Sequence, residues 1–131
     1  MFTLHPRTAK LLEKNLEGSV YARLKSSRIK ILPPVSFLEM TALEQNSRIV
    51  LTDSGGVQKE AYYFRKPCVI MRPETEWVEI VEHGAGIVAD ASTDAIITAY
   101  NDLTNRRIEF SQIFGDGRAA EFILERIVEL F

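Results

Sequence analysis

The sequence predicts an α/β protein with a Rossmann-like parallel sheet that carries helices on both faces. Short segments of strand length alternate with helical segments about five times along the chain. Strands that alternate with helices form right-handed βαβ units, and such units build a parallel sheet. The run Ile49-Val50-Leu51-Thr52 is continuous rather than alternating in its apolar character, which is typical of a strand covered on both faces.

The strands are predicted from short β-prone or apolar runs bounded by residues that interrupt them. Pro33-Pro34 ends the second run, because proline cannot continue a ladder of hydrogen bonds. Gly55-Gly56 follows the third run, and Pro67 precedes the fourth. The predicted strands are residues 2–4, 29–32, 49–52, 68–71 and 86–89.

The helices are predicted from helical spacing of apolar residues and from capping signals. Ser36 with Glu39 three positions later has the pattern of a capping box, and Gly18 is expected to end the first helix. The predicted helices are residues 7–16, 37–43, 57–64, 76–83, 94–103 and 118–130. The last helix has an apolar face formed by Phe122, Ile123, Ile127, Val128 and Phe131.

Length and composition indicate one globular domain over residues 1–131. The hydrophobic fraction of 46% is enough for one core. A formal net charge of -2 provides no positive field for nucleic acid. No apolar run approaches the roughly 20 residues of a membrane helix, and the N-terminus lacks a signal-peptide pattern. We therefore expect a cytoplasmic protein with neither a nucleic-acid nor a membrane partner.

The cysteine and histidine content indicates neither a disulfide nor a metal site. Cys68 is the single cysteine, so an internal disulfide is excluded and a reducing compartment is suitable. Its place in an apolar strand favours a core role over a nucleophilic one. The two histidines are far apart in sequence and match no metal-ligand spacing. We expect no metal and no cofactor.

The turn between the third strand and the following helix is the strongest candidate for a ligand site. Asp53, Ser54, Gly55 and Gly56 lie between them, and two glycines allow close approach of a ligand or positive φ. The first N–H groups of a helix lack intrahelical acceptors and favour an anion. Glu60 follows about one turn later, where a carboxylate can accept both hydroxyls of a ribose.

An ordinary tight turn explains the same residues. Asp53 or Ser54 would then be a helix cap and Glu60 a solvated helix residue. Ser-Gly-Gly lacks the Walker pattern and the three-glycine dinucleotide fingerprint, so the spacing alone leaves both interpretations open.

Longer motifs around this turn resemble those of a known family. Leu51-Thr52-Asp53-Ser54-Gly55-Gly56-Val57-Gln58-Lys59-Glu60-Ala61 resembles the signature of non-hydrolysing UDP-N-acetylglucosamine 2-epimerases. The segment Lys66-Pro67-Cys68-Val69-Ile70-Met71-Arg72-Pro73-Glu74-Thr75-Glu76-Trp77-Val78-Glu79 resembles the family's next motif. Phe114-Gly115-Asp116-Gly117-Arg118-Ala119-Ala120 resembles its Gly-Asp-Gly element, and Leu4-His5-Pro6-Arg7-Thr8 resembles a strand-loop of its second domain.

The resemblance implies one half of a GT-B-type fold, the C-terminal half that holds UDP. Family enzymes interconvert UDP-N-acetylglucosamine and UDP-N-acetylmannosamine by eliminating UDP and adding it back. By position, Ser54, Gly55 and Gly56 match the diphosphate ligands, Glu60 matches the ribose ligand, and His5 matches a histidine near the nucleotide or a regulatory UDP-sugar. The acid/base carboxylates belong to the N-terminal half, so we expect no catalytic residue here, and a homodimer is the family's usual state.

Two positions depart from the family pattern. Met40 stands where some members carry a phenylalanine against the uracil, and Trp77 stands where others carry an arginine. Arg72 follows a predicted strand, where it either pairs with phosphate or forms a salt bridge with a nearby glutamate. Glu76 is expected to order this loop or the phosphate-binding turn.

Three functions remain compatible with these residues. The first is the UDP-binding half of a 2-epimerase that serves surface polysaccharide synthesis, partnered by a missing N-terminal domain. The second is a non-catalytic nucleotide-binding module. The third is the donor-binding half of a GT-B glycosyltransferase, which shares the architecture.

Overall fold

The structure, a computed structural model, describes residues 1–130 and separates into two compact units, Met1–Leu43 and Glu44–Phe131. The strands are β1 (Phe2–Thr3), β2 (Ile31–Leu32), β3 (Val50–Thr52), β4 (Cys68–Ile70) and β5 (Gly86–Val88). The helices are α1 (Pro6–Asn15), α2 (Gly18–Ser26), α3 (Phe37–Gln45), α4 (Gly55–Tyr63), α5 (Val78–Glu82), α6 (Thr93–Asn105) and α7 (Ala119–Leu130).

The first unit contains a short parallel pair, in which β1 and β2 align Phe2 with Ile31. The expected capping box at the start of α3 is present. The Ser36 N–H and O–H donate to Glu39 Oε2 at 2.7 and 2.8 Å, and the Glu39 N–H donates to Ser36 Oγ at 3.3 Å. Local sequence thus determines where α3 begins.

Helix α2 was missing from the sequence prediction, which took Gly18 as a helix end. Gly18 instead opens α2 with Glu17 as its N-cap, although no side-chain hydrogen bond caps it. The Tyr21 hydroxyl donates to Glu13 Oε1 at 3.0 Å and ties α2 to α1. Glycine ends a helix when it takes positive φ after the last turn, but Gly18 has no such φ and lies at the start of a turn.

The second unit contains the parallel sheet β3-β4-β5, with helices on both faces. Val69 points to one face, where it packs with Ala99 and Leu103 of α6. Its neighbours Cys68 and Ile70 point to the other face and pack with Ala61 of α4. All three residues of the central strand β4 are buried, as expected for a strand covered on both faces. The same prediction for Ile49–Thr52 holds only in part, because β3 lies at the end of this sheet and its Leu51 is 42% exposed.

The strand pairing differs from the single sheet that the pattern suggested, since the described strands form two sheets. A sequence pattern identifies strands but does not state which of them exchange hydrogen bonds. Within the second unit Thr52 pairs with Ile70, so β3 and β4 end side by side. This register places the loop after β3 next to the loop after β4, at the edge where ligands bind in open parallel sheets.

Helix α7 presents its predicted apolar face to solvent in the described structure. Phe122, Ile123, Ile127 and Val128 are between 50% and 69% exposed. Phe131, which the sequence adds to this face, lies outside the described residues. Across residues 1–130, no helix combines the length and apolar character needed to cross a membrane.

Candidate functional site

The turn after β3 is built around Ser54, which caps α4. Its Oγ accepts from the Val57 N–H at 3.5 Å, and its own N–H donates to Thr52 Oγ1 at 3.0 Å. The helix begins at Gly55, two residues before the predicted start, because Ser54 rather than Asp53 supplies the cap. The N–H groups of Gly55 and Gly56 therefore belong to the first helical turn, where they have no intrahelical acceptor.

The two glycines allow other groups to approach the backbone of the turn closely, and they do not adopt an unusual backbone angle. Among residues 1–130, neither Gly55 nor Gly56 is a glycine with positive φ. A Cβ on Gly55 would lie 3.2 Å from both carboxylate oxygens of Glu76. At Gly56 the nearest atom would be Ser54 Oγ at 3.8 Å. Gly55 is thus the position at which another part of the chain touches the turn.

That contact comes from an ion pair in the loop after β4. Arg72 Nη1 donates to Glu76 Oε1 and Oε2 at 2.8 and 3.1 Å. This hydrogen bond holds the pKa of Glu76 below its usual value and that of Arg72 above its usual value. Of the two alternatives for Arg72 the structure shows the salt bridge, and a phosphate contact stays a prediction. Glu76 bonds within its own loop and lies against Gly55, and its expected role in ordering the phosphate-binding turn stays a prediction.

Trp77 fastens the same loop to the start of α4. Its indole Nε1–H donates to the Gly55 carbonyl at 2.8 Å, and its backbone N–H donates to Thr75 Oγ1 at 3.0 Å. Thr75 in turn donates to Oε1 of Gln58, a fully buried side chain, at 2.6 Å. Lys59 lies over the Trp77 ring, with Nζ 4.3 Å from the ring centroid. Sequence reasoning missed these contacts, since no local pattern reveals them.

Glu60 lies on the same helix as the capped turn and is half-buried. It follows Gly56 by four residues, about 6 Å along the helix axis. The side chain that faces it is Glu44, which is 4% exposed and whose carboxylate oxygens have no hydrogen-bond partner among residues 1–130. Burial, followed by the charge of Glu60, raises the pKa of Glu44 to about 7.

Two ionised carboxylates cannot donate to each other, so a hydrogen bond between Glu44 and Glu60 would require a proton on one of them. Sequence reasoning did not select Glu44. The available signal was an acidic residue that follows Met40 by four positions and so shares its side of a mostly apolar helix. Cys68 is also buried, which together with Glu44 raises the pKa of its thiol to about 12. The predicted core role of Cys68 agrees with this burial.

The remaining two predicted ligands belong to the first unit. His5 is exposed, and its Nδ1 accepts from the Arg7 N–H at 3.3 Å as the N-cap of α1. The structure thus gives His5 a local structural role, and a nucleotide contact stays a prediction. Met40 is half-buried in α3, and its contact with a base stays a prediction as well.

The acidic and histidine side chains of residues 1–130 contain no group of three that could hold a metal ion. Asp116 shapes its loop instead, since its Oδ1 accepts from the Arg118 N–H at 3.0 Å. Gly115 and Gly117 flank it with φ of +85°, a conformation that side chains disfavour.

Comparison with known proteins places this site in context. The family model for UDP-N-acetylglucosamine 2-epimerase matches residues 1–128. A UDP-2,3-diacetamido-2,3-dideoxy-D-glucuronate 2-epimerase from Pseudomonas aeruginosa is 42% identical over 97% of this chain and 34% of its own length. A UDP-N-acetylglucosamine 2-epimerase from Methanocaldococcus jannaschii is 40% identical over 95% of this chain and 33% of its own length.

Solved structures of UDP-GlcNAc 2-epimerases also resemble this chain. The Methanocaldococcus jannaschii UDP-GlcNAc 2-epimerase matches with a TM-score of 0.84 and 38% identity, over 98% of this chain and 35% of that chain. The same enzyme in complex with UDP-GlcNAc and UDP matches with a TM-score of 0.82. Such neighbours have a GT-B fold, which confirms the predicted fold class. The chain spans about a third of the length of these relatives.

Proposed function

Because the chain belongs to the UDP-N-acetylglucosamine 2-epimerase family, we propose that it is the UDP-binding part of an enzyme that interconverts UDP-N-acetylglucosamine and UDP-N-acetylmannosamine. The observation that carries the proposal is the Ser54-capped start of α4. Its unpaired N–H groups and the helix dipole favour an anion at this end. The diphosphate of UDP is such an anion, and a solved relative is in complex with UDP-GlcNAc and UDP.

In this proposal the diphosphate binds at Ser54, Gly55 and Gly56. The Ser54 hydroxyl has a hydrogen to donate, because its oxygen is the acceptor in the cap with Val57. Arg72 lies next to this turn, and the negative charge of Asp53 contributes to raising the pKa of its guanidinium. When phosphate arrives, the guanidinium can exchange Glu76 for a phosphate oxygen, since both are anions that suit its fork of donors.

The nucleoside part of UDP extends along α4 in the same proposal. The Glu60 carboxylate accepts the two ribose hydroxyls, and Met40 contacts the uracil. His5 contributes to the nucleotide or to a regulatory UDP-sugar. These three assignments rest on position in the family motifs and on the placement of Glu60 one turn beyond the glycines.

The isolated chain is proposed to bind UDP without epimerising it. Elimination needs a base beside the acetamido group and stabilisation of the leaving diphosphate. The site supplies donors for the leaving group, whereas the resemblance assigns the acid/base carboxylates to the N-terminal part of the relatives. The full enzyme would make a sugar nucleotide for surface polysaccharide synthesis in the cytoplasm.

The sugar has a second candidate, since the relative with 42% identity acts on a diacetamido-dideoxy-glucuronate linked to UDP. Both sugars share the UDP group, so the nucleotide site described for this chain suits either one. Assays with both UDP-sugars, after the N-terminal part of the Methanocaldococcus jannaschii relative is added in trans, would separate them. Activity with neither sugar would favour the non-catalytic module.

Calorimetry tests the nucleotide site itself. We expect the chain to bind UDP, and Glu60→Gln to weaken binding roughly tenfold or more, because a charge-assisted hydrogen bond to ribose is lost. Glu82→Gln, an exposed carboxylate on α5, is the matched control and should bind like the native chain. No heat and no thermal stabilisation at millimolar UDP would contradict the proposal. Formation of UDP-N-acetylmannosamine by the chain alone would contradict the proposal that the isolated chain does not epimerise UDP-N-acetylglucosamine.

A further inference from the structure

Glu44 is a buried carboxyl group that the proposed nucleotide site does not use. Its side chain lies near the C-terminal end of α3 and is 4% exposed. Neither carboxylate oxygen is exposed, and neither has a hydrogen-bond partner among residues 1–130. A buried, unpaired carboxylate is unfavourable, so a group in this position takes up a proton unless a donor or a cation faces it.

Within residues 1–130, the groups that act on the charge of Glu44 are acidic or neutral rather than cationic. Glu60 faces it from α4 and acts on it both by charge and by a side-chain contact. The Cys68 thiol faces it from β4 and is itself kept neutral by burial. A neutral Glu44 has one O–H to donate, and the Glu60 carboxylate that faces it can accept a hydrogen bond. Two such carboxyl groups share one proton more stably than they hold two charges.

We propose that Glu44 is a positioning residue for nucleotide binding, which in its protonated form donates to the Glu60 carboxylate and holds it toward the ribose hydroxyls. The inference rests on the proposed role of Glu60 as the ribose ligand. It makes ribose recognition depend on pH, because loss of the Glu44 proton places a second negative charge against Glu60. The ribose contact is then weakened without any change at the diphosphate turn.

The test compares two probes that differ in the ribose hydroxyls. UDP carries both hydroxyls, and 2′,3′-dideoxyuridine 5′-diphosphate carries neither. The ratio of their dissociation constants reports the ribose contact alone, since protonation of the diphosphate affects both probes equally. Calorimetry is done at pH 6 and pH 8 on the native 131-residue chain. We expect the preference for UDP over the dideoxy probe to fall roughly three- to tenfold at pH 8, which is the change in affinity that the loss of one hydrogen bond causes.

Glu44→Gln separates positioning from simple packing. The amide N–H₂ donates to Glu60 at either pH, so the UDP preference should persist and change by less than about twofold between pH 6 and pH 8. Glu82→Gln removes an exposed carboxylate and should keep the native pH dependence. A native preference that is equal at both pH values would overturn the inference while UDP binding still supports the proposed function. An unchanged pH dependence in Glu44→Gln would overturn it too. Absence of UDP binding would overturn the proposed function and this inference together.

A ligand-free measurement keeps the inference testable if Glu44→Gln fails to fold. Carboxyl carbon NMR on the native chain with labelled glutamate should show Glu44 titrating near pH 7. In Glu60→Gln the Glu44 titration should move to lower pH, because the facing negative charge is gone. Titration of Glu44 at the ordinary glutamate pKa, or no response to Glu60→Gln, would overturn the inference.

Discussion

The two parts of α4 that the proposed nucleotide would contact are built in opposite ways. At the N-terminal end, Ser54 and Gly56 are exposed and the donors are backbone groups of the first turn. One turn later, the proposed contact would depend on the Glu60 side chain, which faces buried Glu44. In the proposal, the first part would work through the absence of side chains, and the second through the Glu60 carboxylate beside a buried carboxyl group.

This difference predicts different sensitivities. A change in side-chain volume should damage the N-terminal end, where space is limited by Glu76 against Gly55. A rise in pH, which removes the proton of Glu44, should weaken the proposed contact made by Glu60.

Gly55→Val is expected to have the largest effect. A Cβ there would already lie 3.2 Å from the Glu76 carboxylate, and the two further methyl groups would fill the space above the first turn. We expect UDP affinity to fall about 100-fold in calorimetry, because the diphosphate can no longer reach the N–H groups.

Gly18→Ala is the matched control for Gly55→Val. Its added Cβ would have nothing within 4 Å, and Gly18 lies in the first unit on α2. UDP affinity should stay at the native value. Retention of native affinity in folded Gly55→Val would show that the turn does not seat the diphosphate.

Glu44→Gln should alter the pH dependence of stability. The pKa of Glu44 is 4.5 in the unfolded chain and about 7 in the folded chain. Between these values the folded state holds the extra proton, so this stabilisation is full below about pH 4.5 and is lost as pH rises through 7. The size of the loss is roughly 1 to 3 kcal/mol.

Urea unfolding of the native chain and of Glu44→Gln, at pH 5 and at pH 8, measures this effect. The glutamine does not titrate, so the variant should lose less stability than the native chain over that interval. Parallel stability profiles for the two proteins would show that Glu44 is already ionised in the fold.

Glu76→Gln is expected to have the smallest effect, and it acts at the N-terminal end. The Glu76 carboxylate is an anion next to the first turn of α4, where it would compete with a bound phosphate, and it holds Arg72. Its neutralisation should improve UDP affinity about two- to fivefold. Calorimetry at low salt measures this, and weaker binding would mean that the ion pair supports the turn more than it blocks it.

Much of the fold followed from local sequence. The Ser36 and Glu39 capping box, the strand at residues 68–70 and the turn before α4 were all predicted and are present. Helix α2 was missed, because Gly18 has the same identity whether it begins or ends a helix. The grouping of strands into two sheets was also missed, since pairing depends on residues far apart in sequence.

Periodicity and contiguous motifs in the sequence were enough to predict the fold class, the family and the position of the turn between β3 and α4. The folded chain shows that Glu76 lies against Gly55, that Trp77 fastens the turn, and that Glu44 is buried with Glu60 facing it. In each case the partner lies many residues away. Burial and the pKa of a carboxyl group depend on what surrounds it, and only the folded chain brings those surroundings together.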